Sequence, residues 1–253
     1  MPEMRRTIAW LLMVWLLPPF AAIQAPDPAP SKFIRMNDEP HHHLALHNDY
    51  INVFNVHVDV GDAIAMHRHD DDTIAIAIGD QTVTVGVPGK PDVHQKNADG
   101  QVRMQRASYV HSTRVDGASP YHTVAVELLH PQDNPRNLCA QVIAGLPLNC
   151  PEDSAGTKTD KEVGQPQFES DQTHVQIVRV LAHRRIEIGH SPRYELIVAI
   201  DHGSLSPVPG QRLDQDLQPG DFVWFDKDGP SRTFKNNGDQ EARYVEISFK
   251  AID

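Results

Sequence analysis

The stretch "GDAIAMHRHDDDTIAIAIGD", residues 61 to 80, sets His67 and His69 one residue apart and follows them with Asp70, Asp71 and Asp72. Alternate side chains of a strand share a face, so the two imidazoles lie roughly 6.7 Å apart along the chain. From that separation both rings can converge on one ion at about 2.0–2.1 Å per bond. Two nitrogens do not complete a site, and a third ligand must come from elsewhere in the chain. The competing reading makes both histidines solvated residues of an exposed strand, in a chain with 15 histidines, and the aspartates an acidic turn.

The elements that would position these rings are short and alternating: "YINVFNVHVDV", "TIAIAIG", "QTVTVGV" and "HTVAVELL". Alternation rich in valine, isoleucine and threonine marks half-buried strands. Turn signals such as "VPGKPD" (87 to 92), "NADG" (97 to 100) and "DGASP" (116 to 120) separate them at intervals suited to an antiparallel sandwich or barrel. No long segment holds a helical apolar period. Residues 131 to 168, rich in proline and polar residues, read as a linker. Strand-like segments then resume with "HVQIVRVLA", "YELIVAI" and "ARYVEISF". The layout of residues 46 to 81 recurs in residues 169 to 204, which suggests a duplicated barrel.

The whole chain bounds the function. Its 253 residues allow one large domain or two of ordinary size. A formal charge of −11 with no basic stripe excludes a nucleic-acid partner. Residues 1 to 25 read as a secretory signal peptide: Arg5 and Arg6 precede an apolar run from Ile8 to Leu17, too short for the roughly 20 residues that span a bilayer. Cleavage after Ala25 or Ala22 would release a periplasmic or secreted product with no membrane partner; the rival is an uncleaved anchor, against which Pro18 and Pro19 argue. Outside the cytoplasm, Cys139 and Cys150 read as a disulfide contributing about 3 kcal/mol or less. A thiol metal site is the alternative, but the spacing is wrong for paired zinc ligands.

Residues 61 to 79 resemble the first motif of the cupin superfamily, with Gly61, His67, His69, an acidic residue and Gly79 in order. Residues 100 to 111, "GQVRMQRASYVH", resemble the second, with Gly100 and His111 in register. Arg106 stands where proline is usual, Ser108 where glycine is usual, and Val115 replaces a frequent asparagine. The resemblance implies an all-β chain of two tandem jelly-roll barrels, at residues 33 to 130 and 169 to 253. It also implies that His67, His69 and His111 point inward at one divalent transition metal, with iron, manganese, nickel, copper and zinc all admissible. The family's glutamate, separated from the second histidine by three or four residues, is replaced here by Thr73 or Ile74. Asp72 preserves the spacing to Gly79 and is the expected fourth ligand, with Asp71 and Asp70 as alternatives.

Other histidines carry less. The rings of His41, His42 and His43 alternate direction in any extended segment and read as surface residues or a loose metal scavenger. His47, His57 and His94 read as single surface or hydrogen-bonded residues. In the second module His190 and Glu195 survive, but Pro192 and Ser231 occupy the other two histidine places, so a structural barrel is expected there. Three functions follow: a metal-dependent dioxygenase or isomerase acting on a small molecule, a non-catalytic metal- or ligand-binding protein, and a purely structural pair of barrels. Barrel edges in this family often pair between chains, which implies a homodimer.

Overall fold

The computed structural model describes residues 33–138 and 164–250. The expected signal segment, both cysteines with their expected disulfide, and most of the expected linker lie outside the described residues. In the first half the strands are β1 (Ile34–Arg35), β2 (His42–His47), β3 (Ile51–Val58), β4 (Ala63–Arg68), β5 (Asp72–Ala77), β6 (Gln81–Gly86), β7 (Val93–Asn97), β8 (Val102–Gln105), β9 (Val110–Val115) and β10 (Tyr121–Leu128). The second half continues with β11 (Arg136–Asn137), β12 (Gly164–Glu169), β13 (Thr173–Val180), β14 (Arg185–Ile188), β15 (Tyr194–Ala199), β16 (Gly203–Leu205), β17 (Gln215–Leu217), β18 (Phe222–Phe225), β19 (Arg232–Lys235) and β20 (Ala242–Phe249). Within the stretch read as a linker, β11 and the start of β12 are thus paired strands of the second module.

The duplication seen in the sequence is a duplication of topology. One sheet of the first module runs β2-β3-β10-β5-β8, and its counterpart contains β12-β13-β20-β15-β18. The opposing sheets contain β4-β9-β6-β7 and β14-β19-β16-β17. Each module is therefore a two-sheet jelly-roll barrel, antiparallel except where β1 joins β4 in parallel.

The barrels meet through their larger sheets. Ile51, Val53, Ile74, Ile76, Val124 and Val126 of the first module pack in one cluster with Val175, Leu196, Val198, Val245 and Ile247 of the second. Arg243 adds a polar tie across the modules, donating from Nη2 to Asp99 (2.6 Å) and from Nε to Asp201 (2.7 Å). The central strands are consequently covered on both faces. In β5 every residue is buried: Ile74 and Ile76 face the other barrel, while Thr73 and Ala75 line the interior of their own. The alternation in "DTIAIA" therefore separates large from small side chains rather than buried from solvated ones.

The two interiors differ. In the second barrel Ile188, Leu205, Phe225, Phe234 and Tyr244 fill the space, with the Phe234 and Tyr244 rings 5.0 Å apart. In the first, the inward row that runs across the sheet is Phe54, Ala125, Ala75 and Arg103, each opposite the next. Two adjacent alanines leave a space that larger residues would close.

Candidate metal centre

His67 lies near the end of β4 and His111 near the start of β9, directly opposite one another. A register shift between Ile64 and His67 inserts one extra residue on β4 against β9. This bulge decides the direction of the rings, because strict alternation would put His67 on the face opposite Ile64. With the extra residue both point into the barrel. His69 follows the strand end and is pinned there by backbone bonds: its N–H donates to the Tyr109 carbonyl (2.9 Å), and the Ser108 N–H donates to the His69 carbonyl (2.8 Å).

The three rings converge. His67 Nε2 lies 3.2 Å from His69 Nε2, which is 2.9 Å from His111 Nε2. Among the described residues these three form the one group of histidine, cysteine or carboxylate side chains with ligand atoms within 4.8 Å of one another. On the far side of each ring, Nδ1 has its own partner: the Ala65 carbonyl for His67 (2.8 Å), Thr73 Oγ1 for His69 (3.0 Å) and Thr113 Oγ1 for His111 (3.5 Å). With the protons on Nδ1, three Nε2 lone pairs face a common point. Nitrogens bound at about 2.0–2.1 Å with angles near 90–110° stand roughly 2.9–3.4 Å apart, so the donor set fits a transition metal. Burial pushes the His67 pKa down to about 4, and burial followed by the neighbouring imidazoles pushes His69 and His111 well below the ordinary value. The rings are therefore neutral near pH 7, the form that binds metal.

Asp72, expected as the fourth ligand, is not part of this cluster. It shares strand parity with Ile74 and Ile76 and so turns away from the barrel interior. Its Oδ1 accepts from the Ala107 N–H (2.7 Å) and faces Arg106 Nε at 3.3 Å. Arg106 also donates from Nη1 to the Gln132 carbonyl (2.9 Å), so the arginine that replaces the motif proline is anchored and Asp72 holds the turn. Asp70 pairs with Arg35 and Arg68 outside the barrel. The Asp71 pKa is raised by burial and by its two aspartate neighbours, and Asp71 does not join the cluster either. The inward position at this point of β5 belongs to Thr73. It stands where the family places its glutamate, and its hydroxyl donates to the Asp71 carbonyl (3.3 Å) while meeting the His69 ring.

Ser108 occupies the glycine position of the second motif at φ +67°, as Gly61, Gly79 and Gly100 adopt +85°, +78° and +77° at theirs. A left-handed serine is strained by about 1 kcal/mol, part of which glycine's freedom in the unfolded chain offsets. Ser108→Gly should therefore raise the unfolding free energy by up to about 1 kcal/mol, read by urea denaturation, with no change in metal content.

Several residues of the site were not singled out by sequence. His42, read as a surface residue, is buried, lines the cavity and packs on the His67 ring at 4.8 Å. The reason is Glu39, whose Oε2 meets His42 Nδ1 at 2.8 Å from a buried position before β2. Burial would raise the Glu39 pKa, but bonds from His42, from the His41 ring and N–H, and from the Ala65 N–H outweigh it and hold the pKa at about 2. Of the triplet, only His43 is exposed. His47 bonds Asn52 and His94 bonds Thr84, as befits single hydrogen-bonded residues. Tyr109, Tyr121, Gln95, Gln105 and Arg103 also line the cavity, whose volume is about 40 Å³. Arg103 comes from β8, where Val102 and Met104 face the other barrel and Arg103 and Gln105 face inward. Opposite Thr73 on β10 stands Glu127, which accepts from Asn52 Nδ2 (2.6 Å) and whose pKa burial raises.

In the second barrel His190 is exposed, with a left-handed backbone at φ +53° and Nδ1 3.4 Å from the Gly229 carbonyl. Glu195 is buried there, and burial raises its pKa. The two are not part of a ligand cluster among the described residues.

No protein-family model matches the sequence, and no curated protein does. Solved structures do. AerE from Microcystis aeruginosa superposes with a TM-score of 0.54 at 10% identity, covering 87% of this chain and 100% of that one. A cupin 2 conserved barrel domain protein from Leptotrichia buccalis gives 0.52 at 10% identity over 82% of this chain and 87% of that one. Procruciferin, an 11S globulin from Brassica napus, gives 0.53 at 9% identity over 78% and 75%. At such identity the likeness is one of fold, and it spans both modules together. The tandem topology, the glycines in their left-handed turns and these neighbours agree on the architecture: the chain has the fold of two cupin-like barrels in tandem.

Proposed function

We propose that the first barrel is a metal-dependent enzyme of the dioxygenase or isomerase type acting on a small molecule, and that the second barrel is its scaffold. The observation that carries this reading is the convergence of three buried, neutral imidazoles, each held from behind at Nδ1. A divalent transition metal there, iron, manganese, nickel, copper or zinc, would supply a Lewis acid or redox centre with coordination positions left for substrate. The chain's own residues do the rest. Thr73, Thr113 and the Ala65 carbonyl orient the ligand rings. Glu39 orients His42, the lining imidazole outside the ligand set, as the group placed to take or deliver a proton. The apolar walls contributed by Val56, Ile64, Val83 and Val85 limit water. Residues 1 to 25 support an exported protein, periplasmic or secreted.

A second reading, a protein that holds a metal or small ligand without turnover, is favoured by one observation: a hydroxyl, Thr73, stands where the family carries its carboxylate. The test of both is metal content by mass spectrometry on untagged protein prepared without added metal, alongside the His67→Ala, His111→Ala double variant. About one equivalent of transition metal, at least tenfold lower in a still folded variant, is expected. Turnover of oxygenase or isomerase substrates that disappears with the metal supports the enzyme; stoichiometric metal with no turnover supports the binding protein. Metal unchanged in the variant overturns both.

A further inference from the structure

The cavity beside the three histidines has an unbalanced charge. Its lining contains four imidazoles and the Arg103 guanidinium but no carboxylate. The neighbouring acidic groups are already engaged: Glu39 behind the lining residue His42 and with His41, Glu127 with Asn52, and Asp72 with Ala107 and Arg106. Arg103 Nε is sealed from water and has no hydrogen-bond partner. Its companions are phenols, Tyr121 and Tyr109, which can polarise toward a cation but cannot neutralise one near pH 7. A guanidinium stays protonated under these conditions, so its charge persists in a half-buried position whose Nε is sealed from water. A buried donor without an acceptor costs about 1–3 kcal/mol, more when charged, and such groups persist where a ligand completes them. A dication on three neutral imidazoles would deepen the positive imbalance, because no motif glutamate offsets it.

We propose that Arg103 is the anchor of an anion subsite in the first barrel, and that the molecule this site accepts is a small carboxylate. This rests on the metal reading for its chemistry, though not for the existence of the subsite. The guanidinium fork matches the planar carboxylate with two parallel N–H···O bonds. Volume favours a small molecule: about 40 Å³ is space for roughly three water-sized groups. Two inward alanines, Ala75 opposite Arg103 and Ala125 opposite Ala75, create that space. Arg103 is thus a substrate-positioning residue that holds the charged end of the molecule while the rest faces the histidines.

The test is calorimetric titration of the full chain, both metal-stripped and zinc-loaded, with acetate, the neutral isostere acetamide and inorganic phosphate. Acetate should bind at least tenfold more tightly than acetamide and more tightly than phosphate. Arg103→Met should weaken acetate at least thirtyfold while keeping its metal content, and Arg103→Lys should recover part of the loss. Without ligand, Arg103→Met should melt at or above the wild-type temperature, since it removes a charge whose Nε has no partner and that no lining carboxylate neutralises. Equal acetate binding in wild type and Arg103→Met, equal binding of acetate and acetamide, or a preference for phosphate overturns the proposal. Arg103-dependent acetate binding in a protein that retains no metal supports the subsite and removes the metal reading alone. Retained metal with acetate binding indifferent to Arg103 does the reverse.

Discussion

Thr73→Glu is expected to slow metal release at least tenfold in a chelator-competition assay. Thr73 is the inward residue of β5 four positions after His69, and its hydroxyl already meets the His69 ring at 3.0 Å. A carboxylate there would either enter the coordination sphere or take the Nδ1 proton bond of His69, and both strengthen binding of a dication. The metal-free protein should suffer, because Glu127 stands directly opposite and is itself buried. Like charges facing across a sheet are destabilising. The variant should therefore melt several degrees lower when stripped, with a larger gain on loading than wild type. It should also lose acetate affinity, since the added negative charge competes for the same positive cavity. Release that is unchanged or faster from a folded variant would show that the Thr73 position does not look onto the metal.

Metal-stripped protein should lose stability steeply as pH falls from about 6.5 to 4. Burial depresses the His67 pKa to about 4, against an ordinary value of 6.5, so between these limits the unfolded chain binds a proton that the folded chain refuses. Unfolding is then favoured by falling pH, and 2.5 units correspond to about 3 kcal/mol from His67 alone. His69 and His111 shift in the same direction. Glu39 extends the decline: its folded pKa of about 2 lies below its ordinary 4.5, so its stabilisation is complete above 4.5 and is lost as pH falls toward 2. Urea midpoints of stripped protein at pH 7 and pH 4.5 read the effect, and His67→Gln should flatten the profile over this range. A wild-type profile already flat between those values would mean that the rings are hydrated and the cluster open.

How much of this was legible in the sequence depends on the residue. The paired histidines, the glycines at 61, 79 and 100, and the spacing to His111 pointed to the three-nitrogen cluster that the structure assembles. Ser108 was legible as a departure from pattern, and its backbone keeps the conformation that the pattern requires. Asp72 was misjudged because spacing along the chain does not report strand parity, and β5 starts one residue too early for Asp72 to face inward. His42 was misjudged because its partner Glu39 precedes it in a short turn with no periodic signal. Arg103 carried an ambiguous signal. Between Val102 and Met104 it reads as the solvated side of a half-buried strand, and only the packing of a second barrel against that sheet makes the apolar face external and the arginine internal.

Local composition therefore determined the strands, the turns between them and the duplication, because alternation and left-handed glycines act over a few residues, while the third nitrogen donor came from the resemblance of residues 100 to 111 to a known motif. Direction was decided by tertiary structure. The bulge between Ile64 and His67 aims the ligand rings, the facing sheets assign each parity to a core or a cavity, and the alanine pair beside Arg103 empties the space that Phe225, Phe234 and Tyr244 fill in the other barrel. Each of these depends on which strand lies opposite which, and pairing between residues far apart in the chain is set by the register and packing of the folded sheets.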